Sequence, residues 1–207
     1  MNRIDLIRLR PGTRADEGLI LTVRQALPAA AQTLLRPTLP GVYNGGDLLM
    51  RLWGCAGTAP GVQLRQDAID HVDSVIYADG KGGGDWNGAG IYRALLLAVK
   101  PAIADSVVER FERELLAMPR YIASIRAWRL SRVAQAAGAR AWTHVWEQRY
   151  DDLDGLSGEY MMHPYHWARV DRWFDPESPD WIVDTHLCHS FCALHCMPSP
   201  LPLAGEG

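Results

Sequence analysis

The sequence predicts an α+β fold in which one strand–helix unit is used twice. Three observations carry that expectation. Arg93-Ala-Leu-Leu-Leu-Ala-Val-Lys-Pro101 echoes Arg3-Ile-Asp-Leu-Ile-Arg-Leu-Arg-Pro11 about ninety residues downstream. A helical pattern follows each copy, over Asp16 to Leu27 and over Ser106 to Met118, and both patterns run into a proline, Pro28 and Pro119. Alternating strand and helix in each half points to a sheet with its helices on one face.

Composition sets the bounds. A chain of 207 residues with 48% hydrophobic and 22% charged residues is an ordinary globular protein of one domain or two small ones. A net charge of -3 without a basic run argues against nucleic acid as a partner. No apolar run is long enough to span a bilayer and the N-terminus lacks a hydrophobic signal core, so a cytoplasmic protein is expected. Cys55, Cys188, Cys192 and Cys196 do not form a disulfide framework and read as free thiols.

Taken in order, residues 3–11 alternate apolar and polar and stop at Pro11-Gly12, a half-buried strand and a turn. Asp16 opens a helix with Leu19, Ile20, Val23 and Leu27 on one face. Pro37 and Pro40 punctuate a connection, and Val42 to Trp53 reads as a hairpin around Asn44-Gly45-Gly46. Residues 56–60 read as loop and His71–Tyr77 as a strand. Asp79 to Asp85 reads as a glycine-rich linker, since a phosphate loop would need a Gly-Lys-Ser/Thr ending. In the second half a strand occupies the later part of Tyr121–Leu130, a turn Gln135–Gly138, and a strand Arg140–Tyr150. Period two on that last strand places Trp142, His144, Trp146 and Gln148 on one face. A polar loop covers Asp151 to Gly158, and Trp181 to Leu194 forms the final strand. The division expected is 1–80, a linker at 81–89, 90–196, and a disordered Pro/Gly tail at 197–207.

The chemistry concentrates in Glu159 to Phe174, which holds His163, His166, Tyr160, Tyr165, Trp167 and Trp173. Pro164 places His163 just before a helix and His166 in its first turn. A helix N-terminus disfavours a cationic ring, so a neutral His166 able to accept a proton is expected. The alternative is a pair of aromatic-packed histidines that cap a helix.

Together with the strand Trp142-Thr-His144-Val-Trp146, the stretch Glu159-Tyr160-Met-Met-His163-Pro-Tyr-His166 resembles the stress-responsive dimeric A/B barrel family, over about residues 90–195 and more weakly over 1–80. The resemblance implies tandem ferredoxin-like repeats, the first degenerate, that pack into a dimeric-type α+β barrel whose bare sheet faces line a cavity. It also implies a cofactor-independent enzyme acting on a small aromatic molecule. Tyr160 and His166 match the catalytic pair of a polyketide cyclase in the family, and His144 matches its strand histidine. Arg93 replaces a histidine of that enzyme and puts a permanent cation in the cavity.

These residues suit proton abstraction beside a carbonyl or from a phenol. His166 is the expected base, Tyr160 or Arg93 the oxyanion stabiliser, and His144 an orienting or relay group. Trp142, Trp146, Trp167, His163 and His189 are expected to contact the substrate. Aldol cyclisation, retro-aldol cleavage and dehydration all fit a lyase or cyclase of this kind. The competing reading is a non-catalytic barrel that binds an apolar ligand. A homodimer is possible. No cofactor or metal is expected: His186, Cys188, His189, Cys192, His195 and Cys196 tempt as zinc ligands, but on a strand they point to opposite faces.

Overall fold

The structure, a computed structural model, describes residues 1–27, 32–54 and 67–195. The first half contributes β1 (Asn2–Leu9), α1 (Glu17–Gln25), β2 (Gln32–Pro37), β3 (Leu48–Trp53) and β4 (Ile69–Tyr77). A short strand, β5 (Lys81–Gly84), precedes β6 (Ile91–Leu97), α2 (Asp105–Ala117), β7 (Ala127–Ala137) and β8 (His144–Tyr150). Two wide helical turns, α3 (Gly155–Tyr160) and α4 (His166–Val170), lead to the last strand, β9 (Cys188–Ala193).

Strands of the first half lie in the order β2-β3-β1-β4, and those of the second repeat it as β7-β8-β6-β9. This is the ferredoxin-like α+β arrangement used twice. Antiparallel pairing of β4 with β7 joins the halves at one edge. At the other, Leu39 N donates to Phe191 O at 3.0 Å, and Tyr43 and His189 exchange backbone bonds of 2.9 and 2.7 Å. The sheet thus curls into a barrel within one chain, and residues 39–43 after β2 cover the edge of β9.

Local sequence explains the layers. β6 reads Ile-Tyr-Arg-Ala-Leu-Leu-Leu and is buried along its whole length. By period two, Tyr92, Ala94 and Leu96 face the other half, while Arg93, Leu95 and Leu97 face the helices. α2 lays Val107, Phe111 and Leu115 onto that second face. Asp16 caps α1 by accepting from Leu19 N at 2.9 Å, and Val23 of α1 packs on Ile7, Leu35 and Met50.

A shared core of Ile4, Leu6, Leu49, Val75, Tyr77, Tyr92, Leu96, Trp142 and Val145 fills the space between the halves. Inside it, Arg51 of β3 donates through Nε and Nη2 to both carboxylate oxygens of Glu147 on β8. Tyr92 donates to the same carboxylate at 2.7 Å, and the guanidinium stacks 4.1 Å from the Trp53 ring. Asp73 of β4 makes a second tie by accepting from Trp142 Nε1 at 3.1 Å and Ala139 N at 2.7 Å. The barrel interior is therefore packed. The expectation that bare sheet faces line a cavity is corrected, because aromatic side chains and a buried ion pair occupy that space.

Several local expectations change for tertiary reasons. Only Leu48–Trp53 of the expected hairpin is strand, and it pairs with β2 and β1. Asn44-Gly45-Gly46 instead brings the backbone against β9, where a Cβ at Gly45 would stand 2.6 Å from His189 O. The glycine-rich linker is in part strand β5, which lies on β7 with Gly83 against the Trp128 ring. Residues 135–137, expected as a turn, extend β7 and form the seam with β4. The loop at 151–158 is helical from residue 153, and the final strand shortens to Cys188–Ala193. β2 carries too few alternating residues to have been expected. Cys55, the loop at 56–60, and residues 196–207 with Cys196 lie outside the described residues. Among those described, Cys188 and Cys192 are free and buried, and no helix is long and apolar enough to cross a membrane.

Replacing Glu147 by Ala leaves Arg51 buried without its carboxylate, and a loss of about 3–5 kcal/mol is expected. Urea unfolding followed by circular dichroism measures it. A loss below about 1 kcal/mol, the scale of an exposed pair, would mean that the halves do not depend on this contact.

Candidate functional site

A cleft of about 290 Å³ opens on the helix-covered face of the second-half sheet. Arg93 and Leu95 of β6 form its floor, with Trp146 of β8 on one side of Leu95 and His189 of β9 on the other, and Leu115 of α2 one wall. Tyr160, His166, Val170, Asp171 and Phe174 close it from the segment that follows, with Tyr43 from the first half at the rim. Apolar walls around a few convergent polar groups are the usual make-up of a small-molecule site.

The break at His163-Pro164 builds the far wall. Tyr160 lies in α3 before it and His166 opens α4 after it, and their rings meet edge to face at 4.8 Å. His163 does not reach the cleft: its Nδ1 accepts from Tyr165 N at 3.1 Å and caps the restart of the helix. Asp171 stands five positions after His166, and its Oδ1 is 3.1 Å from His166 Nδ1. This is a close approach without hydrogen-bond alignment, since Nδ1 has no hydrogen-bond partner among the described residues. A carboxylate there favours the tautomer with the proton on Nδ1, which leaves the Nε2 lone pair open.

Arg93 organises the floor. Its Nη1 donates to Tyr160 Oη at 3.1 Å and to Gln148 Oε1, which the register of β6 on β8 sets directly opposite. Its Nε donates to His189 Nε2 at 2.6 Å, so His189 carries its proton on Nδ1. Burial, then the Arg93 cation and His166, push the His189 imidazole down from its ordinary 6.5 to about 2.

The cleft thus gathers Arg93, Tyr160, His166, Trp146 and His189 from the expected set. His144 is buried two residues before Trp146 and does not line the cleft. Its Nε2 lies 3.1 Å from Glu112 and its Nδ1 2.8 Å from Thr143 Oγ1, and burial lowers its pKa. Trp142 turns into the core between the halves, because β8 begins at His144 and the alternation does not extend back to it. Trp167 is 59% exposed and donates to Met161 O. Among the described residues no three His, Cys, Asp or Glu side chains cluster as metal ligands.

Asp171, Gln148 and Tyr43 complete the site without having been singled out. Helical spacing of three and four passes over Asp171, and only the wide turn brings a residue five positions on beside His166. Gln148 was placed on the right face by period two, but its partner follows from strand register. Tyr43 carries no local signal.

These features define a tandem ferredoxin-like barrel with a polar-floored cleft under the helices of its second half. The sequence model of the stress responsive A/B barrel domain matches residues 91–184, so the second half is a domain of that family. Among solved structures, an anthrone oxidase-like protein superposes with a TM-score of 0.63 at 10% identity, covering 94% of this chain and 91% of that one. A candidate monooxygenase of Fusobacterium nucleatum gives 0.56 at 8% identity, covering 94% and 91%. A major regulator of staphylococcal pathogenesis gives 0.51 at 9% identity, covering 92% and 98%. At these identities the likeness concerns the fold. No curated protein sequence matches the chain.

The depressed His189 has a consequence for stability. Below pH 6.5 the unfolded chain binds a proton that the folded chain refuses, so this contribution is complete above that value and is lost progressively toward about 2. His144 adds in the same direction. Acidification from about pH 7.5 to about 5, above most carboxylate titration, is expected to lower the urea midpoint. His189→Gln, which still offers Arg93 an acceptor, is expected to flatten that slope. An unchanged slope would show that the ring titrates normally in the fold.

Proposed function

We propose that this cleft is a cofactor-independent active site that removes a proton from a small aromatic substrate. The observation that carries the reading is the paired arrangement of His166 with Asp171 and of Tyr160 with Arg93 on one apolar-walled cleft. His166 Nε2 takes the proton from a carbon beside a carbonyl, or from a phenol. Asp171 holds the ring and stabilises the imidazolium that forms. Arg93 occupies a lone pair of Tyr160 Oη, so the tyrosine O–H is turned to an acceptor in the cleft, where it donates to the developing oxyanion. The nearby cation favours that negative charge. His144 supports the wall through Glu112 and takes no part in the transfer.

The resulting enolate or phenolate partitions by substrate into aldol closure, retro-aldol cleavage or loss of water, the chemistry of a lyase or cyclase. Oxidation by dioxygen is the second reading, because two structures of like fold are described as oxidase-like and as a candidate monooxygenase. In that case the same carbanion gives its electrons to dioxygen, and an activated methylene becomes a carbonyl with release of water.

The test is a mass-spectrometric turnover screen of hydroxylated aromatics and poly-β-keto acids, run in air and under argon. His166→Ala is expected to reduce turnover by about 10²–10⁴-fold, and Tyr160→Phe to reduce it with the apolar walls intact. Oxygen incorporated only in air would favour oxidation over cyclisation or cleavage. Equal turnover by wild type and His166→Ala would remove His166 from the mechanism. Binding without turnover would leave a ligand-binding barrel.

A further inference from the structure

Three arginines are buried among the described residues, and two of them hold a carboxylate. Arg51 is paired with Glu147, and Arg3 donates from Nε and Nη2 to Asp5 at 2.8 and 2.7 Å. Arg93, only 4% exposed, makes its hydrogen bonds to neutral acceptors, and among the described residues no carboxylate lies within 4 Å of it. A buried cation without a counter-charge is costly, and the cost is recovered when an anion arrives.

The first half supplies the comparison. Arg3 on β1 and Arg93 on β6 occupy corresponding strands of the repeated order, each on the face turned away from the other half. Two residues further along that face the first half has Asp5, whose carboxylate Arg3 grips; the second half has Leu95, which lines the cleft. Where the first half carries its own carboxylate, the second half has an open cleft.

Unspent donors surround that place. Among the described residues Arg93 Nη2 makes no hydrogen bond, the buried Trp146 Nε1 and Gln148 Nε2 have no acceptor, and the Tyr150 hydroxyl, buried and likewise unpaired, lies near the guanidinium. Among the lining residues the carboxylate is Asp171, which stands by His166 Nδ1 and not by the guanidinium, so Arg93 keeps a donor for an anionic oxygen of a ligand.

We propose that the cleft binds its ligand as a carboxylate, held by the Nη2 of Arg93, with the aromatic body against Trp146 and Leu95. The substrate class is then an aromatic or polyketide-derived acid. This rests on the reading that a small aromatic molecule enters the cleft, but it can be tested without turnover.

The experiment is calorimetric titration of the full chain with salicylate and with salicylamide, its neutral isostere. Salicylate is expected to bind about 10- to 100-fold more tightly, with the preference shrinking as salt rises. Arg93→Gln is expected to abolish the preference, so that salicylate binds no more tightly than salicylamide. Equal affinities in the wild-type protein, saturation by neither probe, or a preference that survives in Arg93→Gln would each overturn the proposal. The wild-type comparison decides alone should the variant not fold. A failed turnover screen beside a clear preference for salicylate would remove the catalytic reading and keep the acid-binding cleft.

Discussion

The ion pair of Arg51 with Glu147 is the contact on which the barrel depends. It joins β3 of the first half to β8 of the second across the space where the two sheet faces meet. Neither charge reaches water, so each is acceptable only while the other is in place. Tyr92 spends its hydroxyl on the same carboxylate, and Trp53 covers the guanidinium. Apolar packing would hold two sheets together in many registers. A buried bidentate pair accepts one, because any slip leaves a charge without its partner.

That packed interior decides where chemistry can occur. With aromatic rings and the ion pair filling the barrel, the sheet's other face is left for a ligand, beneath the helical segment of the second half. The alternation of β6 divides the two tasks: Tyr92, Ala94 and Leu96 build the barrel, while Arg93 and Leu95 serve the cleft. One strand therefore carries both the stability of the fold and the floor of the site. The repeat supplies a control within the same chain. In the first half the equivalent arginine is paired with Asp5, and in the second, among the described residues, its hydrogen bonds go to neutral acceptors.

Much of this was legible from local pattern. Period two put Trp146 and Gln148 on one face of β8 and separated His189 from Cys188 and Cys192. The repeat of Arg3–Pro11 in Arg93–Pro101 gave the tandem arrangement, and Pro164 located the break that sets Tyr160 against His166. What failed shares one cause. Asn44-Gly45-Gly46 has the chemistry of a tight turn, but Gly45 serves the approach to β9 and Gly46 the approach to β1. The glycines at 82–84 resemble a linker, yet they let β5 lie against Trp128. Trp142 and Trp167 were assigned to a pocket by residue type, and type does not tell which side of a layer a ring occupies.

The sequence by itself determined β1, α1, β4, β6 and α2, the alternation along them and the identity of the polar groups, because those follow from side-chain periodicity and backbone preference within short windows. Tertiary structure alone decided that the barrel interior is solid, that Asp171 reaches His166, and that Arg93 is left without a carboxylate. Those are long-range facts. Each depends on strand register or on a wide helical turn, and so on contacts between residues that no local pattern connects.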